Sequence, residues 1–473
     1  MRKRIISTLC ALCCMTLISG CMVGPEYNRP TTAIDDTGVF ENQPEQWKTN
    51  EQTESIGHWW ERFGDAYLNE AVSEALANNN DLRTAAWRVM ENQALLAQSF
   101  GARLPVISYE ANRTEQSLVP RRDKTINFDH DLTIVWVADL FGKLRRTERA
   151  AINDLLGQEE TQKALVHSII AQTVKSRIEI STQQRLVDIA TRNMDSRKNT
   201  LEIVERRYNS GLVMSLDLHQ AKENYAAAAA TKPGTKQNLE LAMHTLDVLL
   251  GRRAGTGQMP TDMLPEIERL EPVPMGLPIS LLDRRPDVKA AERQLEAATE
   301  RVGVSIAELY PDLTFTGIVG TTGSKHQPSL DPANIIYSGI ASLATPVFAG
   351  GQLREGVKAA KARAEQAASN YAETVLNAIR EVEDAMVKEK YLTESVGLLK
   401  VRVDEAMKAE NLARDRYSKG VESLLTVLDT ERRRISAENE LASAIKNLYN
   451  ARVDLYLAIG GDWEVSYEIV SSK

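Results

Sequence analysis

Beyond position 21 the chain has no cysteine. Its four, Cys10, Cys13, Cys14 and Cys21, all fall in the first 21 of 473 residues. The remainder therefore carries no disulfide framework, no thiolate metal site and no thiol nucleophile. Aromatic residues are scarce at 5%, while charged residues make up 26%, a balance that favours long helices over one bulky α/β core. The six histidines, His58, His130, His167, His219, His244 and His326, are scattered and form no HExxH pattern. No GxxxxGKS or GxxxxGKT loop is present, so the chain has no nucleotide site of its own. Acidic pairs such as Glu159-Glu160 fall in charge-rich helical stretches, where a solvated face is expected rather than an acid–base pair. Glycine and proline together number 42, too few for a collagen-like or a Pro/Gly-rich disordered chain. A net charge of −8 lacks the basic face of a nucleic-acid binder. Neither an enzyme nor a cofactor is expected.

What is present begins at the N-terminus. Arg2, Lys3 and Arg4 precede an apolar run from Ile5 to Ile18, too short to span a bilayer comfortably and ending in small residues, as an export signal does. Its end, Leu17-Ile18-Ser19-Gly20-Cys21, resembles the lipobox of bacterial lipoproteins. That resemblance implies cleavage before Cys21, a diacylglycerol on its thiol and acylation of its amine. Cleavage removes three positive charges and takes the net charge from −8 to −11. Several acyl chains anchor stably where one is marginal. Met22 stands where an aspartate would imply inner-membrane retention, so the resemblance points to the outer membrane.

The chain also repeats itself. Arg206 to Gly211 (RRYNSG) returns as Arg414 to Gly420 (RDRYSKG), so that Tyr208 maps to Tyr417 and Gly211 to Gly420 at an offset of 209. The same offset relates Leu144-Arg145 to Leu353-Arg354 and Gly251 to Gly460, whereas Leu104-Pro105 matches Tyr310-Pro311 at 206. One connection must therefore differ by three residues, in a tandem duplication. Each half opens with a helical segment, roughly Asp65 to Ala102 and Pro286 to Leu309. Pro286-Asp287 suits a helix start, and Ala291, Leu295, Ala298, Val302, Ile306 and Leu309 recur at threes and fours. Long proline-free stretches follow, Lys143 to about Arg207 and Gln352 to about Arg416. Some 65 helical residues span roughly 95 to 100 Å. Val187, Ala190, Met194, Leu201, Val204 and Tyr208 keep a helical stripe in which Arg197 is the only polar member; Ala442, Ile445, Tyr449, Tyr456 and Ile459 do likewise. Antiparallel coiled-coil-like helix pairs are expected, each reversing at a Tyr-x-x-Gly turn where glycine supplies positive φ.

Between these helices the period changes to two. Phe128, His130, Leu132, Ile134 and Trp136 alternate with Asn127, Asp129, Asp131 and Thr133, and Ile107, Tyr109 and Ala111 alternate with Ser108, Glu110 and Asn112. Leu313, Phe315 and Val319 alternate with Asp312, Thr314 and Thr316, while the stretch near Ile336 to Val347 alternates less cleanly. Each candidate runs about 10 residues, the length of a tilted transmembrane strand. A hairpin on a soluble core would alternate in the same way. Four strands cannot close a barrel in one chain, and an open edge is forbidden in lipid, so copies must combine. Tyr109 and Trp136 suit an aromatic girdle; Trp136 equally suits the junction of sheet and helix, the preferred reading.

Val23 to Pro30 (VGPEYNRP), Trp59 to Glu70 (WWERFGDAYLNE) and Ala77 to Val89 (ANNNDLRTAAWRV) resemble the outer-membrane factors of tripartite efflux pumps. Gly276 to Ala298, with its LLDRRPD core, TPVFAGGQLR and Arg380 to Ala385 (REVEDA) add to the likeness, which covers essentially all of the mature chain. It points to the lipoprotein, OprM/NodT-type branch of the TolC family. The resemblance implies a mixed α and β membrane protein: a homotrimeric 12-stranded β-barrel continued by a long α-helical coiled-coil periplasmic tunnel. It further implies a passive exit duct for drugs or small toxic compounds, with a periplasmic membrane-fusion adaptor and an inner-membrane pump of the resistance-nodulation-division type as partners. The expected organisation is a signal peptide at 1–20, an extended segment at 21–64, a first repeat at 65–255, a linker at 256–285, a second repeat at 286–460 and a tail at 461–473. No metal site is expected, because methionines are spread rather than clustered; metal efflux stays open, since the pump can choose the cargo. A protein-secretion duct is the second reading, disfavoured by the lipobox and the Trp-Trp block. A coiled-coil lipoprotein without a pore is the third, disfavoured by the duplicated alternating strands.

In the family, the helix after the second turn lines a closed periplasmic entrance. Matched from the glycine, Tyr417 falls on a gate tyrosine and Asp429 on the inner of two acidic ring positions. Thr426 stands where TolC has the other acid, Glu422 where it has the gate arginine, and Asp217 on that arginine's acidic partner. Glu422 and Asp217 would repel, which removes the usual salt-bridge lock. The residues themselves also allow Asp429 to pair with Arg433 four positions on and Tyr417 to pack at a helix end.

Overall fold

The computed structural model describes residues 22–30, 40–42, 57–118, 123–265, 273, 281–324 and 332–460. The export signal, Cys21 and the expected tail at 461–473 lie outside them. Helices α1 (Ala66–Asn78) and α2 (Asn80–Gly101) lead into strands β1 (Val106–Leu118) and β2 (Asp123–Ala138), then α3 (Lys143–Asn209) and α4 (Ser215–Leu249). The second half gives α5 (Pro286–Ala307), β3 (Asp312–Gly323), β4 (Ile335–Ala344), α6 (Gln352–Ser418) and α7 (Leu424–Ile459).

The duplication is carried into structure. Helices α3 and α6 are both 67 residues long and begin 209 positions apart. Helices α2 and α5 are both 22 residues long, 206 positions apart. Strands β2 and β4 also end 206 positions apart, at Ala138 and Ala344. The three extra residues therefore sit between strand and helix, where 345–351 replace 139–142. One expectation changes. The first helical segment is not continuous, because Asn79 is extended (φ −64°, ψ 127°). Its amide oxygen accepts from the N–H groups of Asp81 and Leu82, at 2.9 and 3.2 Å, the bonding of an N-cap that starts a new helix.

The chain divides into two compact units. The first, Met1–Thr32, Trp87–Glu160 and Lys289–Thr374, holds an antiparallel sheet of order β1-β2-β3-β4. Its register opposes Tyr109 to Leu132, Leu132 to Val319 and Val319 to Tyr337. Because side chains alternate faces, one face collects Ile107, Tyr109, Leu132, Ile134, Phe315, Val319, Tyr337 and Leu343. The other collects Ser108, Asn112, Asp129, Asp131, Thr133, Thr314, Thr316, Ser338 and Ser342, together with the apolar Val106, Val135, Val137, Ile318, Ile336 and Ile340. The apolar face is open: Ile107, Tyr109, Tyr337 and Leu343 are all highly exposed. Trp136 stacks on Phe315 at 5.8 Å, and its indole N–H donates to the Arg103 carbonyl just beyond α2, at 3.1 Å. That bond is the junction role preferred for it from the sequence. Strands β1 and β4 are edges.

The same unit ties down the segment that follows Cys21. The Val23 N–H donates to the Phe141 carbonyl at 3.2 Å, and Tyr27 and Arg29 both donate to the Glu292 carboxylate. Beneath them Arg146 is fully buried, donating to the Val23 carbonyl at 2.6 Å and to Glu300 at 2.7 Å.

The second unit comprises Ala33–Ala86, Thr161–Val288 and Val375–Lys473. Here the Trp-Trp block folds as a 3-10 turn, Trp59–Phe63. Trp59 is fully buried and stacks on Tyr456 of α7 at 4.9 Å, while Phe63 meets Tyr449 edge-on at 6.1 Å. Truncating such a tryptophan to alanine costs about 3–5 kcal/mol. The predicted stripe Ala442, Ile445, Tyr449, Tyr456 and Ile459 is buried throughout. Within the expected linker, Leu264 is buried and its N–H donates to Ser181, so part of that segment is seated on α3. Among the described residues no helix is long and apolar enough to cross a membrane.

Candidate functional site

The two helix reversals are built alike. In each, an arginine carbonyl four residues before the glycine accepts from the residue after it: Leu212 N–H to Arg207 at 2.9 Å, and Val421 N–H to Arg416 at 3.1 Å. The glycine N–H closes on the tyrosine carbonyl at 2.9 Å in both. Gly211 (φ 69°) and Gly420 (φ 79°) adopt the left-handed conformation that ends a helix. Beyond the second turn, the Ser423 hydroxyl accepts from the Thr426 N–H at 3.2 Å and starts α7. An apolar cluster of Val204, Ala221, Ala413, Tyr417, Leu424 and Val427 packs the two hairpins together.

Of the residues singled out from the sequence, Tyr417 lies inside this cluster at 4% exposure. Burial pushes its phenol up, with Asp217 adding to the rise and Arg207 opposing it. Asp217 and Tyr417 are thus brought together. Thr426 and Glu422 are also joined, the threonine hydroxyl donating to the carboxylate at 3.0 Å. The Ser423 N–H does the same at 3.1 Å, and these bonds hold the Glu422 carboxyl below its usual range. Asp429 stands apart, partly exposed. It accepts from Arg432 and from Arg433, each at 2.7 Å, which keeps its carboxyl below the ordinary carboxylate range. The i,i+4 pair allowed by the sequence is therefore formed. Cys21 lies outside the described residues, although its neighbour Met22 lies against Gly142.

Sequence reasoning did not reach a buried ionic network above the turns. Glu431 is fully buried and accepts from Thr200 at 2.9 Å and Arg414 at 3.2 Å. Arg434 bonds both Glu410 and Glu438, and Arg192 of α3 reaches Glu438 at 3.1 Å. The only sequence signal for it was the run of charges at helical spacing, which equally describes a solvated face. Among the described residues no group of three His, Cys, Asp or Glu could hold a metal ion.

The family model described as outer membrane efflux protein matches residues 71–252 and 277–461. The solvent efflux pump outer membrane protein SrpC of Pseudomonas putida is 28% identical over 468 residues, covering 96% of this chain and 97% of its own length. Nodulation protein T of Rhizobium leguminosarum bv. viciae is 28% identical over 456 residues, covering 94% and 91%. Among solved structures, the outer-membrane channel OprN superposes with a TM-score of 0.85 at 31% identity, over 94% of this chain and 100% of that one.

Proposed function

The chain belongs to the outer membrane efflux protein family, and from that premise we propose that it is the exit duct of a tripartite efflux pump. It conducts drugs or small toxic compounds passively out of the cell, and the solvent pump among its relatives makes small apolar compounds the leading cargo class. The observation that carries this reading is the two-faced sheet with an unpaired strand at each edge. An apolar face suits lipid and a polar face suits a water-filled lumen, and open edges in lipid demand closure with further copies. Three copies of four strands make the 12-stranded barrel expected of a homotrimer. Paired 67-residue helices, each about 100 Å long by their rise, continue the barrel across the periplasm toward an adaptor and a resistance-nodulation-division pump. Acyl chains on Cys21 anchor the duct in the outer membrane. At the periplasmic entrance Asp429 contributes to a charged ring, and Tyr417, Asp217, Thr426 and Glu422 shape the closed turn region.

Planar-bilayer recording of the purified full-length protein tests the reading, together with crosslinking in detergent and rescue of solvent or drug tolerance in a strain lacking its own duct. A three-subunit species with small, discrete conductance steps is expected. A well-folded monomer in membranes, or a folded protein that never conducts, would overturn it.

A further inference from the structure

The duplication provides an internal control for the turn residues. By the offset of 209, Tyr208 is equivalent to Tyr417 and Arg207 to Arg416. Equivalent residues in equivalent turns should have equivalent surroundings, and these do not. Tyr208 is 40% exposed, whereas Tyr417 is 4% exposed. Arg207 leaves its own turn and crosses to the other hairpin. There its Nη1 donates to the Tyr417 carbonyl, and its guanidinium lies over the Tyr417 ring at 4.8 Å. Arg416 instead acts on Glu422 within its own turn.

The arginine lies against the second turn, within ordinary contact distance of Gly420, whose positive φ serves the helix end. The Tyr417 carbonyl is among the last of α6 and already accepts from the Gly420 N–H, a position where the helix dipole favours a cation. Glu422 and Asp217 are both acidic, so no attraction between them can hold the hairpins together. The cation seen to cross between the two turns, Arg207, is supplied by α3.

We propose that Arg207 is the latch of the resting entrance, a positioning residue that ties the first hairpin to the second and keeps Tyr417 seated. This rests on the exit-duct reading and adds to it the residue that regulates conduction. Separating the hairpins must break a charge-assisted hydrogen bond and a cation–π contact together. Their loss shifts the closed–open balance by on the order of tenfold or more.

Single-channel recording of the full-length Arg207→Gln variant is the test. Its open-state occupancy should rise about tenfold over wild type, with the trimer band and melting midpoint unchanged. Arg207→Lys keeps the charge and loses the planar fork, so it should fall between the two. The twin variant Arg416→Gln should conduct like wild type, which separates a latch from a generic helix-end effect. If Arg207→Gln does not assemble, Tyr417→Leu, which removes the ring beneath the guanidinium and keeps the apolar cluster, should open the channel on its own. Wild-type occupancy in Arg207→Gln, or equal opening in Arg416→Gln, overturns the latch while leaving the duct intact. A folded wild-type protein that never conducts removes the duct reading, and the latch with it.

Discussion

The buried pair of Arg146 and Glu300 offers the sharpest test of how the N-terminal segment is held. The arginine side chain is 0% exposed and the glutamate side chain 8% exposed, with 2.7 Å between them. Arg146→Met would strand the Glu300 carboxylate in the interior, a change that costs about 3–5 kcal/mol, and would strip the Val23 carbonyl of its donor for about 1 kcal/mol more. Arg149, 3.8 Å from Glu300 and half exposed, offsets part of that. The expected net loss is therefore about 3 kcal/mol. Glu300→Gln should cost less, about 1–2 kcal/mol, because Arg146 keeps the Val23 carbonyl and the more distant Glu26 at 3.6 Å. The double variant Arg146→Met/Glu300→Leu buries no charge and should be less damaging than Arg146→Met alone. Guanidinium unfolding followed by helical circular dichroism gives the cycle, and limited proteolysis within 22–30 reports whether the segment has come loose. Single variants within 0.5 kcal/mol of wild type, or a strictly additive double, would refute the reasoning.

Three further outcomes follow from the same structure. Cys21→Ser should abolish incorporation of a radioactive fatty acid during growth; label retained in the variant would sink the lipobox reading. Asp429→Asn removes the negative charge paired with Arg432 and Arg433, so reversal potentials under a salt gradient should move away from cation selectivity while expression and assembly stay intact; identical potentials would put Asp429 away from the constriction. His167 is pushed down to about 4 by burial, with Lys163 adding to the fall and Asp287 opposing it. Its neutral form therefore stabilises the fold fully above about pH 6.5, and up to about 3 kcal/mol of that is lost as pH falls through 4. His167→Gln should flatten this part of the stability–pH curve, and an unchanged acid limb would show that another group sets it.

Much of the architecture was legible because duplication and period are properties of the sequence itself. The offsets of 209 and 206 require one connection to differ by three residues, and the structure puts that difference between β4 and α6. The switch to period two marked the strands because each residue chooses a face, as the Leu132–Val319–Tyr337 row confirms. Asn79 was not legible as a break, since asparagine within a helical run announces a cap only once its amide is seen to take two N–H groups. Buried charges were the larger omission. Glu431 and Arg146 look, one residue at a time, like any other member of a charged helix; what distinguishes them is a partner more than a hundred positions away. Spacing along one helix carries no record of that partner.

Those long-range partners also explain how a duplicated chain makes two unlike turns. Two copies of one hairpin, each with its arginine, tyrosine and glycine, would by themselves give two equivalent ends. The neighbours break the equivalence. Of the stripe preceding the first turn, only Val204 packs fully into the apolar cluster, and Tyr208 is left outside. In the second copy Ala413, Leu424 and Val427 close around Tyr417 instead. Once that tyrosine is inward, its ring and carbonyl present a face that takes a guanidinium, and Arg207 occupies it. The ionic network above repeats the logic, because Arg192, Ser196 and Thr200 of α3 reach the acids on α6 and α7. Together these contacts tie the first hairpin to the second, and all of them would have to break before the two could separate.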